Sequence, residues 1–221
     1  MNKSIHYIDW GLKEYNQAWQ EQEQLFKGTL ELKQQGMPTE NYLVFCEHPH
    51  VYTLGKSGDE QNLLLNYIQL QAQHASFVHT NRGGDITYHG PGQLVGYPIF
   101  DLANFGMGLR QYIETLEDAI IEFIALYGLQ GERLDGATGV WLDPTTPRAR
   151  KICAIGVRSS RYVTMHGFAL NISTDLSYFS HINPCGFTDK GVTSLALETG
   201  LSIDFEIVKQ QLRQLVEKKF Q

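Results

Sequence analysis

The sequence is short of cysteine, of long apolar runs and of positive charge, and each shortage removes a class of protein. Cysteine occurs three times in 221 residues, at positions 46, 153 and 185. The number is odd, the spacings are long and no CxxC occurs. A disulfide framework and a zinc site are therefore poor readings, and a cytoplasmic protein with free thiols is the expectation. No stretch approaches the roughly 18 apolar residues that a membrane-spanning helix needs. The opening MNKSIHYIDW lacks the apolar core and small-residue cleavage site of a signal peptide. The net charge of -6 argues against a general nucleic-acid binder and leaves room for a local basic patch. No repeat, low-complexity tract or linker is visible, so residues 1–221 are expected to form one domain.

What is present reads as an ordinary globular chain, 42% apolar and 19% charged, long enough to bury about 70% of its unfolded surface. Periodicity predicts a long helix over 12–35, stopped by Gly36-Met37-Pro38, with Leu12, Tyr15, Trp19, Leu25, Leu30 and Leu32 as its apolar stripe. It predicts a buried strand over 41–47 and a polar loop over 55–62. A short helix is expected over 63–72, a strand starting at 77–79 and another over 94–100. The clearest helix spans 107–127, with Leu109, Tyr112, Ile113, Leu116, Ala119, Ile120, Phe123 and Ile124 on one face and Gly128 behind it. After a strand over 139–142 and a loop over 143–149, two strands, 151–158 and 162–172, are predicted to form a hairpin turning at Ser159-Ser160-Arg161. A last helix, 205–219, is capped by Asp204, with Lys218 and Lys219 at its cation-favouring end. The regular strand–helix alternation of a doubly wound sheet is missing. The class is therefore α+β, a mixed β-sheet with flanking helices.

Four features carry candidate chemistry. Arg82 to Gln93, RGGDITYHGPGQ, has more glycine than a turn requires. It matches neither a P-loop nor a dinucleotide fingerprint. It is a polar hairpin tip or a ligand-contacting wall, in which Gly83, Gly84, Gly90 and Gly92 let backbone approach a ligand and Arg82, Tyr88 and His89 supply donors. The run Glu47-His48-Pro49-His50 invites a metal reading. It is not HExxH and has no third ligand at a suitable spacing, so a pocket-lining loop is preferred. Among the thiols, Cys46 and Cys153 sit in apolar, strand-like runs and read as small buried hydrophobes. Cys185 sits in the loop INPCGFTDKG and is the candidate nucleophile. A thiol near its ordinary pKa of about 8.5 needs a neighbouring cation or base. The candidates are Lys151, His166, His89 and Lys190, with Lys151 and His166 expected to be near each other on the hairpin.

The segments RGGDITYHGPGQLVGYPI, KICAIGVRSSRYVTMHGFALNI and NPCG, in this order and spacing, resemble the lipoyl(octanoyl) transferases of lipoate synthesis, relatives of the lipoate and biotin ligases. The early EHPHVYTLG fits the same pattern, and the resemblance runs from about residue 5 to 210. It implies a biotin/lipoate protein ligase catalytic-domain fold. It also implies an acyltransferase that moves an octanoyl group from octanoyl-acyl carrier protein, through a cysteine thioester, to one lysine of a lipoyl domain. Acceptors would be the lipoyl domains of 2-oxo acid dehydrogenase complexes and the glycine cleavage H protein. No cofactor, metal, nucleic acid or membrane is implied. Cys185 matches the nucleophile and Lys151 its paired lysine. The substrate-binding segments map onto Arg82, Gly83, Gly84, Asp85, Ile86, Thr87, Tyr88 and His89, onto Ala154, Ile155 and Gly156, and onto Gly167, Phe168 and Ala169. Asp85 stands where glutamine is frequent, and Cys153 where alanine is. A regular strand would place Cys153 on the same face as Lys151, as a competing thiol. Alternatives are an ATP-dependent lipoate or biotin ligase, a papain-like hydrolase using Cys185 with His166 or His89, and a non-catalytic carrier-protein module. Arg148, Arg150, Lys151, Arg158 and Arg161 are the candidate docking patch for an acidic carrier. Tyr88 and His89 are expected to face the thioester end of an acyl pocket walled by Gly83, Gly84 and Gly156, with the Gly186 amide near Cys185 as an oxyanion donor.

Overall fold

A computed structural model describes residues 2–183 and 190–221. In chain order the elements are β1 (Ile5–Leu12), α1 (Tyr15–Gln34), β2 (Asn41–Glu47), β3 (Val51–Leu54), α2 (Tyr67–Ala72), β4 (Ser76–His79), β5 (Ile86–His89), β6 (Gln93–Ile99), α3 (Leu109–Ala125), β7 (Glu132–Leu134), β8 (Ala137–Leu142), β9 (Arg150–Ser160), β10 (Val163–Asn171), β11 (Gly191–Val192), α4 (Leu195–Thr199) and α5 (Phe205–Lys219). The large sheet has the order β1-β2-β6-β10-β9-β8-β7, with β11 added beside β9, and a small sheet has the order β4-β3-β5. The β1–β2, β3–β4 and β9–β11 pairings are parallel and the other ladders antiparallel.

The large sheet is covered on both faces, which is why its central strands read as unbroken apolar runs. Along β2, Leu43 and Phe45 point into the main core with Phe123 of α3 and Val208, Leu212 and Val216 of α5. The alternate residues Val44 and Cys46 pack against Ala18 of α1 on the opposite face. Among the described residues no helix is long and apolar enough to cross a membrane.

The α+β class, α3, α5 with its Asp204 cap, β2 and the hairpin stand where the sequence places them. The first helix does not. Leu12 ends a strand, α1 begins at Tyr15, and its buried side is Tyr15, Ala18, Gln22, Phe26 and Thr29 rather than the leucine stripe. The second helix starts at Tyr67, after a capping box between Asn66 and Gln69. The hairpin turns one residue later than predicted. Val163 pairs with Ser160, and Arg161 and Tyr162 both take positive φ, 49° and 67°, the geometry that matches a two-residue turn to strand twist.

One irregularity shapes the site. The β6–β10 ladder pairs Phe168 with Gly96 and resumes where the Thr164 amide donates to the Phe100 carbonyl at 2.9 Å. Continuing that register puts His166 opposite Pro98, which has no N–H to give. There His166 takes φ 58° and turns its own amide to Gln22 Oε1 of α1, at 3.0 Å.

Candidate functional site

A cavity of about 620 Å³ lies between the two sheets. Its floor is a patch of small residues. The antiparallel register sets Ala154 against Ala169 and Gly156 against Gly167. Paired residues share a face, so four small side chains leave room above the sheet. The facing wall is the glycine-rich segment and β5. The Arg82 guanidinium shapes this segment by donating to three carbonyls, those of Thr53 (2.6 Å), Asp85 (2.7 Å) and Gly83 (3.0 Å). Asp85 accepts from Asn62 Nδ2 at 2.8 Å and from the Ile86 amide at 2.7 Å.

The glycines serve backbone proximity here more than an open slot. The Gly83 amide donates to the Val157 carbonyl at 2.9 Å, so the segment is tied to β9. A Cβ on Gly156 would stand 2.9 Å from the Gly83 carbonyl oxygen, and one on Gly55 would collide with that of Gly84. Gly84 itself has φ 86°, a conformation that suits glycine.

Lys151 lines the cavity with its nitrogen 4.6 Å from the centre of the Trp141 ring. Regular alternation would have put Cys153 beside it. Instead Val140 pairs with Cys153 while the next residue, Trp141, pairs with Lys151. Ile152 is the extra residue of a β-bulge, which breaks the alternation. Ile152 and Cys153 are both wholly buried in the main core. Burial pushes the Cys153 thiol far above its ordinary range, so it does not compete as a nucleophile. Cys46 is likewise buried and raised, with its sulfur 3.6 Å from His48 Nε2.

Cys185 and Gly186 lie outside the described residues, but the chain on either side of them is fixed. On one side, Leu63 bridges to Ile182 and the Asn183 amide donates to the Asn62 carbonyl at 2.9 Å. On the other, Lys190, Gly191 and Val192 line the cavity, and β11 sets Val192 beside Lys151. Thr193 clamps this end. Its amide donates to the Lys151 carbonyl at 2.9 Å and its own carbonyl accepts from Asn171 Nδ2 at 3.0 Å. Behind it Thr193 Oγ1 bonds Glu198, which holds Arg150 through two contacts of 2.5 and 2.6 Å. That bidentate partner keeps the Glu198 carboxyl below its ordinary range.

Inside the cavity Asn171 Oδ1 accepts from Gln93 Nε2 at 2.9 Å, and Gln93 Oε1 meets His89 Nδ1 at 2.8 Å. His89 is enclosed, stacked on Tyr15 at 5.7 Å between centroids. Burial, reinforced by His48 and Arg82, holds it well below the ordinary histidine range. It is therefore a neutral imidazole at pH 7. The chain His89–Gln93–Asn171–Thr193 links the cavity wall to the strand that leads out of the Cys185 segment.

The expected substrate-binding residues converge almost completely. Arg82 to Thr87, His89, Ala154 to Gly156 and Gly167 to Ala169 all line the cavity. Tyr88 does not. Alternation along β5 turns it away, onto Tyr178 (4.8 Å) with its hydroxyl 2.7 Å from His50 Nδ1. His166 and Lys151 are not neighbours as expected. His166 pairs with Val157, so the two sit at opposite ends of the cavity. His48 and His50 separate as well: His48 bonds the Lys13 carbonyl and the Tyr97 hydroxyl, while His50 stacks on Tyr178. Among the described residues no group of three His, Cys, Asp or Glu could hold a metal ion. Within the suggested docking patch, Arg150 is held by Asp143 and Glu198 and Arg158 by Glu23.

Sequence reasoning missed Tyr15, Gln93, Tyr97, Trp141 and Asn171 as cavity residues, and Leu109 and Ile113, placed on the apolar face of their helix, also line the cavity. Leu109 is 40% exposed. Polar residues within apolar strands, such as Gln93 and Asn171, were the available signal.

Residues 14–217 match the lipoyl protein ligase A/B catalytic domain. An octanoyltransferase of Parabacteroides distasonis is 61% identical over 96% of this chain and 97% of its own length. One of Bacteroides thetaiotaomicron is 58% identical over 97% of this chain and 96% of its own. Among solved structures, a bi-partite lipoate protein ligase from Thermoplasma acidophilum superposes with a TM-score of 0.72 at 12% identity, over 98% of this chain and 83% of that one. A lipoate-protein ligase A bound with ATP gives 0.67 at 13% identity, over 99% and 85%. The fold is thus that of the lipoate and biotin ligases, and the two relatives named above are octanoyltransferases. The chain belongs to the lipoyl protein ligase A/B catalytic-domain family, among its octanoyltransferases.

Proposed function

We propose that this enzyme transfers an octanoyl group from octanoyl-acyl carrier protein to the target lysine of lipoyl domains, through a thioester on Cys185. The observation that carries the site assignment is the placement of Lys151. It sits in a floor of small residues, hydrogen-bonded strand to strand with the segment that follows Cys185. An ammonium there favours the thiolate. The thiolate attacks the donor carbonyl, the carrier's sulfur leaves as a thiol with the proton of the Lys151 ammonium, and the acyl group rests on Cys185 with Lys151 neutral. The acceptor amine then attacks that carbonyl, an amide forms, neutral Lys151 takes the amine's proton, and Cys185 leaves as the thiolate beside the restored ammonium. Thioester exchange is nearly balanced and amide formation runs downhill, so no nucleotide is consumed. Each octanoyl methylene enclosed over Ala154, Gly156, Gly167 and Ala169 contributes about 0.8 kcal/mol.

The acceptors are the lipoyl domains of 2-oxo acid dehydrogenase complexes and the H protein of glycine cleavage, and the compartment is the cytoplasm, where free thiols such as Cys46 and Cys153 stay reduced. The test is intact mass spectrometry after mixing with octanoyl-acyl carrier protein, without ATP. An octanoyl adduct that is lost in Cys185→Ser and kept in Cys153→Ser is expected. An adduct that survives Cys185→Ser, or transfer that requires ATP, overturns the reading.

A further inference from the structure

Lys151 is the second residue of β9, and the strand paired with it on one side, β11, is two residues long. So short a ladder supplies few backbone hydrogen bonds, and strand ends open before strand centres. Something besides the ladder has to hold the lysine over the Trp141 ring. An ion-pair network on the other face of the sheet meets that need. Arg150 and Lys151 are adjacent, so their side chains leave the sheet on opposite faces. Lys151 pairs with Trp141 and lines the cavity, while Arg150 pairs with Leu142 of the main core.

The Arg150 guanidinium reaches carboxylates from two other elements. Its Nη1 donates to Asp143 Oδ2 at 2.6 Å, and Asp143 directly follows β8. Its Nε and Nη2 donate to the two oxygens of Glu198 on α4, at 2.5 and 2.6 Å. Glu198 Oε1 also accepts from Thr193 Oγ1 at 2.5 Å, and Thr193 directly follows β11. One guanidinium thus joins, directly or through Glu198, the end of β8, the start of β9 and the end of β11. Those three strands carry Trp141, Lys151 and Val192. Asp143 takes φ 49°, a conformation that is uncommon outside glycine and persists where its surroundings hold it.

A fork of two parallel N–H donors on one carboxylate is the stronger kind of ion pair and fixes orientation as well as distance. The Arg150 side chain is 26% exposed and that of Glu198 15%, so water screens the pair less than at an open surface. The Arg150 hydrogen bonds keep both the Asp143 and the Glu198 carboxyl below their ordinary range. The network therefore stays charged through the neutral and alkaline range in which a lysine and a thiol titrate. We propose that Glu198 and Arg150 are positioning residues for acyl transfer: their fork holds Lys151 and Trp141 in the register that keeps the lysine beside the segment following Cys185. The inference rests on the acyl-transfer reading above. It gives a part in the reaction to two side chains that do not line the cavity.

The test compares Glu198→Gln and Arg150→Lys with the wild-type enzyme in three readings: the pH profile of Cys185 alkylation, kcat and KM for octanoyl transfer, and Tm. Cys46 and Cys153 are buried and do not react at a comparable rate. Glu198→Gln keeps the shape of the side chain and an acceptor for Thr193, and removes the charge from the fork. With Lys151 displaced the thiolate loses its cation. Alkylation at pH 7 should slow about tenfold, the size of a one-unit rise in the thiol pKa, and should recover at higher pH. The kcat should fall on the same scale, with KM for the lipoyl domain unchanged. Arg150→Lys keeps a charge and loses the fork. It should shift the profile less and in the same direction, and it carries the test alone if Glu198→Gln does not fold. The control is Glu122→Gln, which breaks the pairs with Lys218 and Lys219 that join α3 to α5 and should leave the profile in place. A wild-type profile and kcat in Glu198→Gln and Arg150→Lys, whatever their Tm, overturns the inference. So does a change confined to KM, or an equal shift in Glu122→Gln. A wild-type enzyme that takes no octanoyl group from the carrier sinks the acyl-transfer reading instead.

Discussion

Lys151 and Trp141 are paired across the β8–β9 ladder, with the lysine nitrogen 4.6 Å from the centre of the indole ring. The ring is itself pinned, its Nε1–H donating to the Ala137 carbonyl at 2.9 Å. A cation over an indole in a partly desolvated site is stabilised by about 1–2 kcal/mol. Trp141→Leu is therefore expected to lower kcat for acyl transfer about tenfold by releasing Lys151 from its cavity-facing position. Lys151→Ala goes further. The pH at which Cys185 reaches its plateau rate of alkylation should rise, because the cation that favours the thiolate is gone. An unchanged alkylation profile in Lys151→Ala would refute the pairing of the two residues.

Gly156→Ala and Gly167→Ala separate the site from the scaffold. At Gly156 the new methyl stands 2.9 Å from the Gly83 carbonyl oxygen and 3.4 Å from the Arg82 side chain. Both belong to the cavity wall, which must shift, so octanoyl kcat/KM should drop tenfold or more with little change in Tm. At Gly167 the methyl collides with the Gly96 carbonyl oxygen and lies 2.6 Å from Pro98 Cδ, inside the central sheet. Overpacking of this kind costs about 1–3 kcal/mol, so Gly167→Ala should lower Tm by several degrees. Equal thermal losses in the two variants would contradict the division.

Most of the cavity wall was legible because it is written in residue types with few other uses. A run holding Gly83, Gly84, Gly90 and Gly92 declares close backbone approach, and Gly83 and Gly84 do line the cavity, whereas Gly90 and Gly92 lie against Tyr88 and Ser173 outside it. Tyr88 departs from the wall because Ile86–His89 is a strand that pairs with Val51–Leu54 and alternates, a regularity that the surrounding glycines hide. Lys151 and His166 were expected together because a hairpin brings its arms together. The register that separates them depends on a turn formed by Arg161 and Tyr162 at positive φ, which no glycine announces. The Ile152 bulge was invisible for a similar reason: apolar residues on both sides of it read as plain strand. Strands β1 and β3 escaped because tertiary pairing, more than their own pattern, makes them strands.

Asn171 ties two parts of the site together. It accepts from Gln93 on the cavity side and donates to the Thr193 carbonyl on the side of the Cys185 segment. Asn171→Leu keeps the branching and heavy-atom count of the side chain and removes both bonds, leaving Gln93 and Thr193 with unmet partners in a buried setting. A loss of about 1–3 kcal/mol in stability is expected from the orphaned groups. The functional effect should fall on kcat, through misplacement of β11 beside Lys151, and not on KM for the lipoyl domain. Asn171→Asp, which keeps the acceptor for Gln93 and loses the donor to Thr193, should reproduce the kcat loss. A change in KM alone would show that the residue acts on acceptor binding.

Acid should unfold this protein earlier than its carboxylates require. Burial pushes His48 down to about 4 and His166 down to about 3, and places His89 well below the ordinary range. In the unfolded chain all three titrate near 6.5. Below that pH the unfolded state binds protons that the folded state refuses, so stability is complete above about pH 6.5 and falls as the pH drops. Each group contributes roughly 1.4 kcal/mol per pH unit across the window from 6.5 down to its own folded value. Three together reach about 4 kcal/mol per unit, a large share of the 5–15 kcal/mol that holds a typical domain. The depressed carboxyls of Glu23 and Glu198 add their own losses only as the pH nears the ordinary carboxylate range, below most of this window. Urea denaturation at pH 7.5 and pH 5.5 measures the difference: the midpoint should fall sharply at the lower pH, and His48→Gln should blunt the fall. Equal midpoints at the two pH values would mean that these imidazoles are not buried as neutral groups.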